Sequence, residues 1–286
     1  MSYQILLFYK YTPIADPVAL MNSQRELCLR LGMKGRTLIA QEGINGTFEG
    51  SPEAIAEYCA ELVKIPGFED IHFKLSEGTG TAFPKLSIKV RNEIVTTHVG
   101  DDIDPTRSTG TYLTPEELHD WFARGEEFYI VDMRNDYEQR IGYFEGSILS
   151  GFELFSDLPK ILPQLESLRG KKILTVCTGG VRCEKASAFL VHHGFENVYQ
   201  LYGGMVSYME KYPNQDFKGK LYVFDGRVYM GFNVDAPEHE VVGRCEQCGA
   251  VSENFINCAN LGCHRHMIAC EPCLSVSDGK CAVTCA

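Results

Sequence analysis

The spacing of apolar positions changes several times along the chain, and each change marks an element. Ile5 to Tyr11 reads as a strand. From there Val18, Met21, Leu27 and Leu31 recur at helical spacing, opened by Asp16 or Pro17 and stopped at Gly32. Gly35 to Gly43 and Gly46 to Gly50 then read as a hairpin whose turn Asn45-Gly46 would satisfy, with Glu42 and Asn45 exposed between the strands. Ser51-Pro52-Glu53 has the cap, N1 proline and acidic first turn of a helix reaching about Lys64, and Ile71 to Leu75 alternates as a strand. Pro84 to Thr97 alternates again, as a basic-sided strand or hairpin leaving the domain, and the polar stretch Gly100 to Gly110 serves as a link.

The order β-α-β-β-α-β over residues 1–100 predicts a ferredoxin-like (acylphosphatase-like) α+β sandwich. Beyond the link, Thr114-Pro115-Glu116-Glu117 opens a helix, and Ile173-Leu174-Thr175-Val176 reads as a buried strand. Ala186, Phe189, Leu190 and His193 give residues 182–193 the spacing of an amphipathic helix closed by Gly194. Gly219 to Gly231 reads as two strands with Asp225-Gly226 at their turn.

Between the buried strand and the amphipathic helix lie only Cys177, Thr178, Gly179, Gly180, Val181 and Arg182. A turn this short with two glycines can wrap its N–H groups around one point at the positive end of the helix, where Arg182 adds a full charge. A thiol at that point has its anion favoured, which makes Cys177 a candidate nucleophile. The plain alternative is a structural cysteine at a strand end, and the Gly-Gly-x-Arg that follows argues against it. Cys183, in the first turn of the helix, is a candidate resolving thiol or merely a small residue suited to that turn.

This stretch resembles the active-site loop of the rhodanese family, Cys-x-x-Gly-x-Arg between a central strand and a helix. Tyr129-Ile-Val-Asp132-Met-Arg134, Gly142-Tyr-Phe-Glu-Gly146-Ser-Ile and Val198-Tyr-Gln-Leu-Tyr-Gly-Gly204 resemble its flanking motifs, with Tyr143 and Glu145 where the family usually has His and Pro. The resemblance implies an α/β domain with a parallel sheet, placed at 111–215. It leaves 216–286 as a β-hairpin and a Cys-rich tail.

Composition narrows the class. Hydrophobic residues at 44% and charged ones at 23% are those of a soluble globular protein, and 286 residues suit two or three domains. No apolar run is long enough for a membrane span, and the first residues lack a basic n-region and cleavage site, so a cytoplasmic location is expected. The net charge of −11 speaks against phosphate binding over the whole surface. Residues 1–100, with ten basic and eleven acidic side chains, are close to balance, so the N-terminal part and the inter-domain cleft are the surfaces expected to receive nucleic acid.

Eight of the twelve cysteines follow residue 244. Two short-spaced pairs, Cys245-x2-Cys248 and Cys270-x2-Cys273, supply the four thiolates of a tetrahedral zinc site. Cys258, Cys263, Cys281 and Cys285, with His264 or His266 as substitutes, form a second and less diagnostic set. Disulfides or reduced thiols are the alternatives.

Taken together, the motif Glu42-Gly-Ile-Asn-Gly-Thr47, the loop running on through Cys183-Glu-Lys-Ala-Ser187 and the Cys-rich tail resemble the oxygen-dependent tRNA uridine hydroxylases. The resemblance implies a tRNA anticodon-loop substrate whose wobble uridine becomes 5-hydroxyuridine. It also implies molecular oxygen, an unidentified reductant, and Cys177 as catalytic cysteine in a persulfide role. The alternative is a thiosulfate or persulfide sulfurtransferase, which needs the same loop and nothing else. No Gly-x-Gly-x-x-Gly or 2-His-1-carboxylate signature points to a flavin, nicotinamide or non-haem iron. Tyr143, Phe144, Phe152, Phe155 and Tyr202 are candidates to rim the Cys177 pocket and stack on bases.

Overall fold

A computed structural model describes every residue except Met1, Asp101, His264, Val283, Thr284 and Ala286. The chain divides into two compact units. The first comprises 1–110 together with 181–194 and 225–227; the second comprises 111–180, 195–224 and 228–286.

In the first unit the elements run β1 (Tyr3–Tyr11), α1 (Pro17–Arg30), β2 (Lys34–Ala40), β3 (Gly43–Gly50), α2 (Pro52–Leu62), β4 (His72–Gly78) and β5 (Leu86–Val90). The sheet order β4-β1-β3-β2-β5 carries the ferredoxin-like antiparallel core with β5 added at its edge, parallel to β2. Leu86–Val90 therefore completes this sheet and does not lead out of the domain. Asp16 and Ser51 cap α1 and α2 as their side chains allow, each followed by proline at the start of the helix. The helices cover one sheet face with Leu20, Cys28, Ile55, Tyr58 and Leu62, closing on Phe8, Ile44 and Phe48. Burial pushes the Cys28 thiol up to about 12 and that of Cys59 up to about 11, which makes both poor nucleophiles.

The hairpin turns at Gln41-Glu42, four residues before the expected Asn45-Gly46, which lies inside β3. Close packing explains why glycine is used in β3 without a turn. A Cβ on Gly46 would meet the Phe8 ring at 2.5 Å, and one on Gly43 would meet the Lys10 carbonyl oxygen at 2.1 Å.

The second unit begins with β6 (Thr111–Leu113), α3 (Pro115–Arg124), β7 (Tyr129–Asp132), α4 (Asp136–Gln139), β8 (Gly142–Phe144) and β9 (Ile148–Leu149). After α5 (Leu162–Leu165) come β10 (Ile173–Val176), the helix α6 (Val181–His192) that clusters with the first unit, β11 (Val198–Leu201) and α7 (Gly204–Lys211). The expected parallel sheet has the order β6-β11-β10-β7-β9. The four residues of β10 are buried throughout, as a central parallel strand requires.

Asp132 and Arg134 of the flanking motif form a fully buried ion pair at 2.6 Å. Arg134 also donates to the carbonyls of Gly142 and Glu138, so its charge is matched by acceptors on three sides. The short strand β12 (Phe217–Gly219) pairs with β8, and β13 (Leu221–Tyr222) with β14 (Tyr229–Met230) makes the expected hairpin. The tail holds β15 (Phe255–Asn257) antiparallel to β16 (His266–Ile268), then α8 (Glu271–Ser277).

Helix α6 departs from its pattern. Its apolar spacing predicts one solvent-facing side, yet Arg182, Glu184, Lys185 and Ser187 are buried along with Ala186, Phe189 and Leu190. Within the first unit these polar groups find partners: Tyr9 donates to Glu184, Ser187 bonds to Thr109, and Lys185 reaches Glu42.

Candidate functional site

Cys177 stands directly after the central strand β10, at the carboxyl end of a parallel sheet, where ligands gather in open α/β folds. It is wholly buried, and its Sγ accepts a hydrogen bond from the Gly180 amide at 3.2 Å. That donor favours the sulfur anion, while burial opposes it. Gly180, with φ of 102°, turns the loop back to bring its N–H onto the sulfur. Thr178 donates to Glu138 at 3.4 Å, and Glu138 in turn holds the Asn135 amide. Thr178, Gly179 and Gly180 thus lie in the second unit, while Val181, Arg182 and Cys183 make the first turn of α6, with Arg182 and Cys183 buried.

The start of α7 fixes the loop from the other side. Met205 and Val206 donate their amides to the carbonyls of Cys177 and Thr178 at 2.9 and 3.1 Å. Gly204 permits this approach: a Cβ there would stand 2.6 Å from the Thr178 carbonyl oxygen, on backbone with φ of +72°. Gly204→Ala is therefore expected to displace the Cys177 loop and destabilise the fold by at least about 1–2 kcal/mol, the cost of left-handed backbone alone. Thermal melting together with alkylation of Cys177 measures both effects.

In the first unit the motif Glu42 to Thr47 works as a clamp. Glu42 accepts the Ile94 amide at 2.8 Å and Asn45 donates to the Ile94 carbonyl at 3.0 Å, holding both polar groups of one residue. The second carboxylate oxygen of Glu42 takes the Lys185 ammonium at 2.7 Å. Beside this pair opens a cavity of about 640 Å³ whose polar lining includes Glu42, Asn92, Glu93, His98, Asp104 and Lys185. Burial pushes the Glu93 carboxyl up, but hydrogen bonds from Thr97 and His98 and the charge of Lys185 hold it below the usual carboxylate range. The stretch after Gly100, read from sequence as a link, supplies part of this wall. The local pattern places Glu42 beside a turn and Lys185 in a helical run, and gives neither residue a partner. The one available signal was that both lie in the two short motifs carrying the family resemblance.

The tail gathers eight cysteines in two groups, Cys245, Cys248, Cys270 and Cys273, and Cys258, Cys263, Cys281 and Cys285, whose sulfurs lie within 4.8 Å of one another in each group. Each group can hold a metal ion. Four thiolates around zinc at about 2.3 Å stand about 3.8 Å apart. Cys248 and Cys270 are 3.6 Å apart, Cys258 and Cys285 3.8 Å, and Cys263 and Cys281 3.6 Å. These separations suit a shared ion and are far beyond an S–S bond of about 2.0 Å.

Burial pushes the Cys245 thiol up, but amide and thiol donors at Cys270, Cys248 and Gln247 outweigh it and bring it down to about 6. Hydrogen bonding to Cys270 and Cys248 pushes Cys273 up to about 12. Neighbouring thiolates repel, and a cation at the centre relieves that repulsion. The Cys281 amide and the Asn260 side chain donate to Cys258 and Cys285, the outer support that metal-bound sulfur receives. His266 is no ligand: its ring stacks on Tyr137 at 5.0 Å and bonds to Asn257. His264 lies outside the described residues.

The aromatic candidates divide. Phe144 belongs to the core, between Phe122, Tyr208 and Phe217, and Phe152 and Phe155 are buried. Tyr143 is half-buried in β8, and Tyr202 is exposed, edge-on to the exposed Tyr112.

Three family models match the chain: a UPF0176 acylphosphatase-like domain over residues 3–94, a rhodanese-like domain over 114–211 and a rhodanese C-terminal region over 218–286. A tRNA uridine(34) hydroxylase of Cytophaga hutchinsonii is 42% identical over 99% of this chain and 90% of its own length. The chain belongs to the tRNA uridine(34) hydroxylase family. Proteins of the same name from Bacillus licheniformis and Corynebacterium urealyticum are 43% and 40% identical, over 94% and 97% of this chain and 84% and 96% of their own lengths. In this member of the tRNA uridine(34) hydroxylase family, Glu42 and Lys185 tie together the two short motifs, 143 residues apart, through a mostly buried ion pair. Among the described residues no helix is long and apolar enough to cross a membrane.

Proposed function

We propose that the chain is a tRNA-modifying enzyme that hydroxylates uridine 34, the wobble position of the anticodon loop, at C5. The observation that carries the reading is the match to hydroxylases of that name along nearly the whole chain, N-terminal domain and tail included. A plain sulfurtransferase would need only the rhodanese-like loop, so full-length similarity favours the hydroxylase. Replacing C5–H by C5–OH with molecular oxygen puts one oxygen atom into the base and the other into water. The balance requires two electrons and two protons from an external reductant.

Cys177 is the reacting sulfur in this reading, as thiolate or persulfide, with the Gly180 amide donating to it. Cys183 is the resolving thiol in this reading: it condenses with a sulfenic form of Cys177 to a disulfide with loss of water, and the external reductant then returns both to thiols with two electrons and two protons. Zinc in the two cysteine groups holds the tail. An anticodon loop suits such an enzyme because its bases are already splayed and cost little to withdraw from the stack.

The experiment is nucleoside mass spectrometry of tRNA incubated with the purified chain and an added reductant, a dithiol in one arm and a reduced cell extract in another, in air and under nitrogen. 5-Hydroxyuridine at position 34 only in air supports the proposal. Fast multiple turnover of thiosulfate and cyanide with no tRNA product would favour the transferase.

A further inference from the structure

The hairpin β15–β16 has two faces. Its register sets Phe255 opposite Ile268, Ile256 opposite Met267 and Asn257 opposite His266. Alternation along each strand puts Phe255, Asn257, His266 and Ile268 on one face and Ile256 and Met267 on the other. Ile256 and Met267 pack with Cys245, Cys270, Cys273 and Cys281, which come from both cysteine groups. β15 runs straight into Cys258, and β16 reaches Cys270 after Ala269. The shape of the hairpin is therefore tied to the two groups, and an ion that holds a group holds the hairpin with it.

The opposite face rests on the rhodanese-like domain. Phe255 and Ile268 are buried with Ile141 and Tyr222, and Tyr137 packs against that cluster. The half-buried His266 ring, bonded to Asn257 at 2.7 Å, stacks on Tyr137 at 5.0 Å and 16° and stands edge-on to Tyr222 at 5.9 Å. Both tyrosines are one step from the Cys177 loop. Tyr137 precedes Glu138 in α4, and the hydroxyl of Thr178, the residue after Cys177, lies 3.4 Å from the Glu138 carboxylate and 3.5 Å from the Tyr222 carbonyl oxygen. One buried hydroxyl thus bridges the two elements on which the tail rests. Helix α4 is a single turn, too short to hold itself, so its position comes from what packs on it.

We propose that the cysteine-rich tail is a working part of the Cys177 site. Its hairpin fixes Tyr137 and Tyr222 through His266, these set the Glu138 carboxylate and the Tyr222 carbonyl around Thr178, and Thr178 keeps the loop turned so that the Gly180 amide stays on the sulfur. His266, Tyr137 and Thr178 are positioning residues, acting on Cys177 without touching it.

This inference rests on Cys177 being the reacting sulfur, and its test separates the two. The full chain, His266→Ala and His266→Phe are purified under reducing conditions and their zinc is measured by elemental analysis. Alkylation of Cys177 by iodoacetamide is followed against pH by peptide mass spectrometry. The phenyl ring of His266→Phe keeps the stack on Tyr137, and the methyl group of His266→Ala does not. We expect all three to hold the same zinc. In His266→Ala the pH midpoint of alkylation rises by about one unit, the worth of one hydrogen bond to an anion, as the Gly180 amide leaves the sulfur. His266→Phe returns it to the wild-type value. Amide protection of β10 stays the same in all three; a tail that merely stabilises the fold would lower that protection and leave the midpoint where it is. An unchanged midpoint in His266→Ala, or the same shift in His266→Phe, overturns the proposal.

If His266→Ala loses zinc, Tyr137→Leu decides the question, since it removes the same stack without altering the tail. A raised midpoint supports the proposal, and an unchanged one overturns it. Hydroxylation of tRNA is assayed beside these. In His266→Ala kcat should fall about tenfold at a similar KM, because a small displacement of a reacting group costs up to about 10²-fold. No product from the wild-type chain defeats the hydroxylase reading and leaves the alkylation midpoint to decide the positioning.

Discussion

Cys177→Ser is expected to abolish 5-hydroxyuridine formation to below detection while leaving the fold and RNA affinity close to wild type. The substitution changes one buried atom, and a hydroxyl accepts the Gly180 amide at 3.2 Å about as well as a thiol does, so packing has little reason to shift. Chemistry has every reason to stop, because a serine hydroxyl neither ionises near neutral pH nor carries a sulfane sulfur. Losses of about 10³-fold or more are usual when a nucleophile is removed. Cys183→Ser is the comparison: as a resolving thiol its loss lowers activity partly, and more severely under oxidant. Residual hydroxylation by Cys177→Ser above the no-enzyme level would remove the sulfur from the mechanism.

Removal of metal from the tail is the second large effect. The two all-cysteine groups predict two zinc ions per chain after purification under reducing conditions. The cores that residues 245–285 share in are small: Cys245, Met267 and Ala269 form one buried cluster, and Phe255 and Ile268 join Ile141 and Tyr222 in another, with short strands and one short helix around them. Such a module draws its folding energy from the ions, whose apparent contribution is about 10–16 kcal/mol per structural zinc. A chelator under reducing conditions should therefore unfold this segment, seen as loss of amide protection over 245–285. The ferredoxin-like sheet, whose core cluster contains no tail residue, should keep its protection. A tail that stays protected with no metal bound would contradict the account.

Much of this architecture was legible because it depends on local chemistry. The cap-proline openings at Ser51 and Thr114 act within one turn, and each reappears as a capped helix start. The loop from Cys177 to Arg182 was equally readable, since strand, glycines and helix are consecutive. The edge strand at Leu86–Val90 was misread as leaving the domain because parallel pairing with β2 is decided by residues some fifty positions away. Asn45-Gly46 misled for a related reason. Its propensity for a turn was overridden by close packing of Gly46 against Phe8, a cross-strand contact with no local signature.

Helix α6 shows the same limit at the site. Lys185 reads as a solvated position in a helical pattern until the partner at Glu42 is known. Buried charge is then the informative departure from pattern, because a lysine leaves water only where a carboxylate receives it. It is this departure that locates the cavity.

The most direct test of the central claim is nucleoside mass spectrometry of tRNA from cells lacking the gene, complemented with the wild-type chain or with Cys177→Ser. The account predicts that 5-hydroxyuridine at position 34 returns with the wild-type chain, when cells grow in air, and fails to return with Cys177→Ser. Equal recovery with both chains, or none with the wild type, would contradict it.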